Sequence, residues 1–161
     1  MNKRANSAMY GIGTDIIEVA RVNRSVSRES GFRERVFTAN EIAYCEQTAQ
    51  KALHYAARFA AKEAFLKAMG TGWAGPLQFH EIELTNNPEG KPAIVLHGKT
   101  KAYVEAQGIT AIHVSMSHVK EMASAIVVLQ TDRAEKEIAI FSTFVDVENI
   151  RQFLQGPEQG E

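Results

Sequence analysis

A single cysteine, Cys45, stands among 161 residues, so no intrachain disulfide is possible and a reducing compartment, the cytoplasm, is the expected setting. No apolar run approaches the length that spans a bilayer, and the N-terminal stretch MNKRANSAMYGIG carries charge without the apolar segment of a secretory leader. No membrane association is expected. An excess of positive charge is also lacking. Lys and Arg total 18 against 19 Asp and Glu, a formal net charge of -1, whereas neutralising a phosphate backbone normally leaves a clear cationic surplus. A general nucleic-acid binder is therefore excluded, and any basic surface must be local. What the chain does have is core material, 45% hydrophobic residues over one domain's length. It shows no internal repeat and no low-complexity segment.

After a polar tail over 1–8, MYGIGTDI reads as a short strand interrupted by Gly11 and Gly13, with Asp15 at its far end. From Ile17 to about Arg28, Val19, Val22 and Val26 fall on one side at 100° per residue, and Arg21, Arg24 and Arg28 fall on the other. This predicts an amphipathic helix with a basic outer stripe. Thr38 and Glu41 form a capping-box pattern that opens a further helix holding Cys45. The longest helix is expected over about Ala52 to Met69, with Gly70 as its stop. The period then changes to two. LQFHEIELTNNPEGKPAIVLH reads as a hairpin turning through Asn87, Pro88, Gly90 and Pro92. A short helix over about Lys99 to Ala106 ends at Gly108, and AIHVSMSH and MASAIVVLQ give two more strands. In the tail, EIAIFSTFVDV fits a strand or a buried helix and ENIRQFLQGPEQGE a terminal helix. The order of elements, without strict alternation, gives an α+β class with a mainly antiparallel sheet packed against one long and several short helices.

The long helix is unusual. Phe59, Phe65, Leu66 and Met69 share an arc that also contains Arg58 and Lys62, while the other side is nearly all alanine around Glu63 and Lys67, which are four apart and therefore neighbours. A plain reading is a solvated ion pair worth about 0.3 to 0.5 kcal/mol, with Arg58 and Lys62 snorkelling to water. Ala56, Ala60 and Ala64 argue against a solvated face and for close approach of another backbone or a ligand, so that Glu63 and Lys67 look into something packed.

Other local patterns fail on context. GTGWAG fits a dinucleotide-binding fingerprint literally, but it follows a helix and leads through Pro76 into strand-like sequence, the reverse of what that motif requires. No spacing makes His113, His118 and Cys45 a zinc site, and no serine lies in a nucleophile elbow. His113 reads as a hydrogen-bonded structural residue.

Taken together, GIGTDIIEVARV at 11–22, FAAKEAFLKAMGTG at 59–72 and HVSMSHVKEMASAIVV at 113–128 resemble the holo-[acyl-carrier-protein] synthases, the small trimeric class of 4′-phosphopantetheinyl transferases. EIEL at 81–84 and EGKP at 89–92 fit the same pattern. The resemblance covers about Met9 to Leu129 and implies a transferase domain over 9–130 and an extension of open role over 131–161. It implies Mg²⁺-dependent transfer of the 4′-phosphopantetheine arm from coenzyme A to a serine of apo acyl carrier protein, releasing adenosine 3′,5′-bisphosphate in support of fatty acid biosynthesis. A homotrimer with sites between subunits is implied as well.

Carried over residue by residue, the resemblance makes Asp15 and Glu63 the Mg²⁺ ligands. Lys67 faces the same phosphates and assists the leaving oxygen, and His118 lies near the pyrophosphate. Arg58 and Lys62 serve the nucleotide's 3′-phosphate. Two carboxylates suit Mg²⁺, which keeps waters and substrate phosphates in its shell. The base that takes the serine proton is left open between a metal-linked water and Glu63. Arg21, Arg24 and Arg28, with Arg35, are expected to meet the acidic carrier protein. Glu81 stands where aspartate is commoner in such proteins.

Overall fold

The computed structural model describes residues 8–132; the expectations for the remaining N-terminal tail and for most of the 131–161 segment lie outside the described residues. Strand β1 (Ala8–Glu18) leads into helix α1 (Val19–Val26), short α2 (Phe32–Val36), α3 (Ala39–Glu46) and long α4 (Lys51–Met69). A 3₁₀ turn at Phe79–Glu81 opens the hairpin β2 (Ile82–Asn86) and β3 (Pro92–Leu96), followed by α5 (Gly98–Ala106), β4 (Ile109–His118) and β5 (Met122–Thr131). Every strand pairing is antiparallel, in a three-stranded sheet of order β1-β5-β4 and a separate two-stranded β2-β3 sheet. The α+β class is as expected, although the strands divide into two sheets.

Local rules account for the boundaries. Thr38 caps α3 with its hydroxyl accepting from the Glu41 backbone N–H, while the Glu41 carboxylate accepts from the Thr38 N–H. Gly70 ends α4 in the left-handed conformation that glycine takes without penalty. Three boundaries differ from expectation. The first hairpin strand begins only at Ile82, because Phe79–Glu81 forms a 3₁₀ turn ahead of it. β1 continues to Glu18, because Asp15, Ile16 and Ile17 pair with Ala125, Ser124 and Ala123, which places Asp15 in the body of the strand. α1 correspondingly begins at Val19 and stops at Val26, leaving Arg28 beyond it.

Helix α4 is the axis of the domain, buried continuously from Tyr55 to Leu66. The three-stranded sheet packs on one side of it, and α1 and α3 pack on others. Its alanines are there because β1 lies almost on its backbone. A Cβ at Gly13 would collide with the Ala64 carbonyl, and one at Gly11 with that of Ala68. Glycine in β1 and alanine in α4 together set this spacing. An aromatic cluster fills the opposite side, where Phe59 stacks on Phe79 at 5.9 Å and 10° between planes and Phe37 meets Tyr55 edge-on at 4.9 Å. Cys45 is fully buried in this core, and burial raises its thiol pKa to about 12, so it is packing material and not a nucleophile.

Candidate active site

The close packing of β1 on α4 brings together groups far apart in sequence. Lys67 Nζ donates to Asp15 Oδ1 at 2.9 Å and to the Thr14 carbonyl at 3.0 Å. Asp15 is 7% exposed and Glu63 1%. One Glu63 oxygen, Oε2, accepts from the Trp73 indole N–H at 3.0 Å, and the other, Oε1, is buried without a hydrogen-bond partner. An orphaned carboxylate oxygen in a native interior calls for an explanation, because leaving it unpaired costs about 1 to 3 kcal/mol or more.

Electrostatics mark the same place. Burial, and next to it the negative charge of Asp15, push the Glu63 carboxyl up to about 8. Burial also raises Asp15, opposed by the hydrogen bond and charge of Lys67 and, more weakly, by the charge of Arg21. Two buried carboxylates, the charge of Asp15 raising the proton affinity of Glu63, with one lysine beside them, form a site short of positive charge. An added cation would relieve it.

Glu63 and Lys67 thus do look into a packed region, and no ion pair joins them: Lys67 bonds Asp15 instead. Arg21 departs from the outer-stripe expectation. It is half-buried, its Nη2 is buried without a partner, and its charge acts on Asp15. Arg24 and Arg28 are exposed, and Arg35 is exposed with Nη1 donating to the Ser30 carbonyl at 2.7 Å.

Two expectations are corrected. Lys62 neither snorkels nor offers itself to a phosphate: it is 0% exposed, and its ammonium donates to Glu41 Oε2 at 2.7 Å and to the carbonyls of Val36 and Phe79 at 2.7 and 2.9 Å. Three acceptors use all three of its protons. Arg58 is 3% exposed, with its guanidinium 4.0 Å from the centre of the Tyr44 ring and Nη2 donating to Asn86 Oδ1 at 3.2 Å. Little of it is open to a 3′-phosphate, and its Nε is buried without a hydrogen-bond partner.

His118 does not join Asp15 within one chain. It lies on β4, two strands from β1, and pairs with Ala123 of β5, while Asp15 lies opposite Ala125 and, beyond it, Met116. Two strand spacings and two residues of rise separate them by about 12 Å. His118 instead lines a cleft of ≈ 590 Å³ with Val19, Leu53 and Lys120. His113 bonds the Gln130 side chain at 2.9 Å on the exposed sheet, consistent with a structural role. Glu81 caps α5, Oε2 accepting from the Thr100 N–H at 2.8 Å and Oε1 from that of Lys99 at 3.3 Å.

Sequence reasoning missed Trp73, set aside with the misleading glycine motif, and the second role of Glu41. The signals were present: Trp73 is the only tryptophan, and a capping-box glutamate sits where a buried lysine needs a counter-ion.

A family model described as the 4′-phosphopantetheinyl transferase superfamily matches residues 11–123. The chain belongs to this superfamily. Among curated relatives, the holo-[acyl-carrier-protein] synthase of Syntrophus aciditrophicus is 41% identical over 123 residues, 76% of this chain and 96% of the relative. The crystal structure of holo-[acyl-carrier-protein] synthase from Neisseria meningitidis superimposes with a TM-score of 0.71 at 36% identity, covering 76% of this chain and 98% of that one. The Helicobacter pylori holo-[acyl-carrier-protein] synthase in complex with coenzyme A gives 0.65 at 34% identity, covering 73% and 98%. The fold of this phosphopantetheinyl transferase is that of the synthases, and its matched segment contains Asp15, Glu63, Lys67 and His118.

Proposed function

We propose that this chain is a holo-[acyl-carrier-protein] synthase: it moves the 4′-phosphopantetheine arm of coenzyme A onto a serine hydroxyl of apo acyl carrier protein. The serine oxygen gives up its proton to a base and forms a bond to the phosphorus bearing pantetheine, the bond from that phosphorus to the oxygen of the other pyrophosphate unit breaks, and adenosine 3′,5′-bisphosphate leaves with that oxygen. The observation that carries this reading is the cluster of buried Asp15 and Glu63 with half-buried Lys67 and its unpaired Glu63 oxygen, in a chain 41% identical to a synthase along nearly that relative's whole length.

The cluster suits Mg²⁺. Its donors are carboxylate oxygens, one of them orphaned, and no group of three or more His, Cys, Asp or Glu occurs among the described residues. Such a set leaves the remaining coordination to water and phosphate, as Mg²⁺ prefers over a closed protein cage. Asp15 and Glu63 hold the ion in this reading. When bound, it neutralises pyrophosphate oxygens and so favours attack at phosphorus. The hydrogen bond from Lys67 to Asp15 supports a role for its ammonium in stabilising or protonating the leaving oxygen.

His118 contributes to this reading through an assembly. The chain works as a homotrimer with sites between subunits, where His118 approaches the pyrophosphate of a neighbouring copy's site. The exposed Arg24, Arg28 and Arg35, with Arg21 behind them, meet the acidic carrier protein. Residues 9–130 form the transferase unit, with 1–8 and 131–161 outside it. No helix among the described residues is long and apolar enough to cross a membrane, and a cytoplasmic role in fatty acid biosynthesis belongs to the same proposal.

The test is intact-mass measurement of an apo acyl carrier protein after incubation with this protein, coenzyme A and Mg²⁺, beside a chelated control. A phosphopantetheine-sized gain that needs free metal is expected. No gain with several carriers, while coenzyme A still binds, leaves a coenzyme A-binding module without transferase activity.

A further inference from the structure

The Trp73 indole has no part in the reaction as described above. It lies in the loop between Gly72, at φ 58°, and Gly75, and its ring packs 4.7 Å from that of Phe79 and 6.2 Å from that of Phe59. Phe59 and Phe79 are themselves buried and stacked, so the indole rests on a rigid support. From there Nε1–H donates to Glu63 Oε2 at 3.0 Å. An indole N–H only donates. It can hold a carboxylate lone pair but cannot exchange a proton with Glu63 or ligate a cation.

That asymmetry gives Glu63 two different oxygens. Oε2 is pinned by a side chain whose own position is fixed by packing, and Oε1 is left buried and free of hydrogen bonds. Without the indole the carboxyl group can turn about its terminal torsion, which is broad and roughly two-fold. Buried filler in an aromatic cluster would explain the ring contacts, but it would not explain a polar edge aimed at a carboxylate of the site.

We propose that Trp73 is a positioning residue for Glu63: it holds one carboxylate oxygen so that the other is presented to the metal, and it ties the loop 70–76 to occupancy of the site. The inference rests on the magnesium reading of Asp15 and Glu63.

Trp73→Phe keeps an aromatic ring and deletes the N–H. The expected result is a rise on the order of tenfold in the Mg²⁺ concentration for half-maximal transfer, the scale of one hydrogen bond to a charged group. The KM for coenzyme A at saturating Mg²⁺ should stay close to that of the unaltered chain, and the melting temperature without metal should fall modestly because Glu63 Oε2 is left unpaired. Mg²⁺ dependence identical to that of the unaltered chain overturns the inference. A second readout needs no turnover and does not depend on the Trp73→Phe variant: because Trp73 is the only tryptophan, the chain's indole emission reports it alone. Adding Mg²⁺ in the presence of adenosine 3′,5′-bisphosphate should change that emission saturably, and Glu63→Gln should remove the change. An emission that does not respond while the metal binds by calorimetry overturns the inference, even if Trp73→Phe fails to fold. Absence of transfer by the unaltered chain counts against the proposed function, and the emission titration then still decides whether Trp73 senses the site.

Discussion

Lys62 and Glu63 are consecutive residues of α4, equally hidden from water, and opposite in circumstance. The Lys62 ammonium has three acceptors at 2.7 to 2.9 Å, one of them the carboxylate of Glu41, which also accepts from the Thr38 and Leu84 N–H groups. Burial draws the Lys62 pKa down and Glu41 opposes it, so the pair is held as a closed structural unit joining α4 to the α2–α3 junction, the 3₁₀ turn and β2. Glu63 faces β1 with one oxygen unpaired and another carboxylate for a neighbour. A buried charge with every valence met is part of the scaffold, and one left short is waiting for a ligand.

The sharpest way to test that contrast is at the lysines. Lys67→Ala should lower the transfer rate by roughly 10² to 10⁴-fold, the usual scale for a positioned proton donor or electrostatic partner, while the chain stays folded by circular dichroism. Lys62→Ala should do the reverse. Leaving the Glu41 carboxylate buried without its counter-ion should cost about 3 to 5 kcal/mol in denaturant unfolding, with the KM for coenzyme A of the folded fraction unchanged. A coenzyme A defect in a stable Lys62→Ala protein would restore Lys62 to the nucleotide site. Smallest is the surface effect. Charge reversal at Arg24 and Arg28, both exposed, should raise the KM for carrier protein by several-fold, about 1 kcal/mol for rim charges, and leave that for coenzyme A alone. An unchanged carrier KM would mark them as ordinary solvated residues.

Much of this was legible from short-range rules, and the failures share one cause. The capping box at Thr38 and Glu41, the Gly70 stop, the hairpin and the alanine-lined face of α4 each depend on residues a few positions apart, and each was read correctly. The fate of Lys62 depends on Val36, Glu41 and Phe79, 26, 21 and 17 residues away, and nothing in its own helix announces them. On a wheel alone, a lysine within an apolar arc looks ready to snorkel. The Asp15–Lys67 pair spans 52 residues and was not anticipated: the alanines of α4 pointed to a close approach without saying of what, and the family resemblance brought Asp15, Glu63 and Lys67 to one site without pairing them. Arg21 was misread because its periodic side is set by α1 alone, whereas its surroundings are set by β1.

The most direct test of the central claim is to measure transfer and thermal stability of Glu63→Gln on the same preparations at pH 5 and pH 8. Burial and Asp15 raise Glu63 from its ordinary 4.5 to about 8. Between those values the folded chain holds a proton that the unfolded chain has released. This contribution to stability is fully present below about 4.5, is lost as pH rises through the window, and is constant above about 8. Glutamine stays neutral and keeps an oxygen for the Trp73 N–H. The account predicts a variant with transfer reduced at least about 10³-fold, a melting temperature at pH 8 equal to or above that of the unaltered chain, and a smaller drop between pH 5 and pH 8. A variant that keeps near-normal Mg²⁺-dependent transfer, or that is destabilised equally at both pH values, would contradict it.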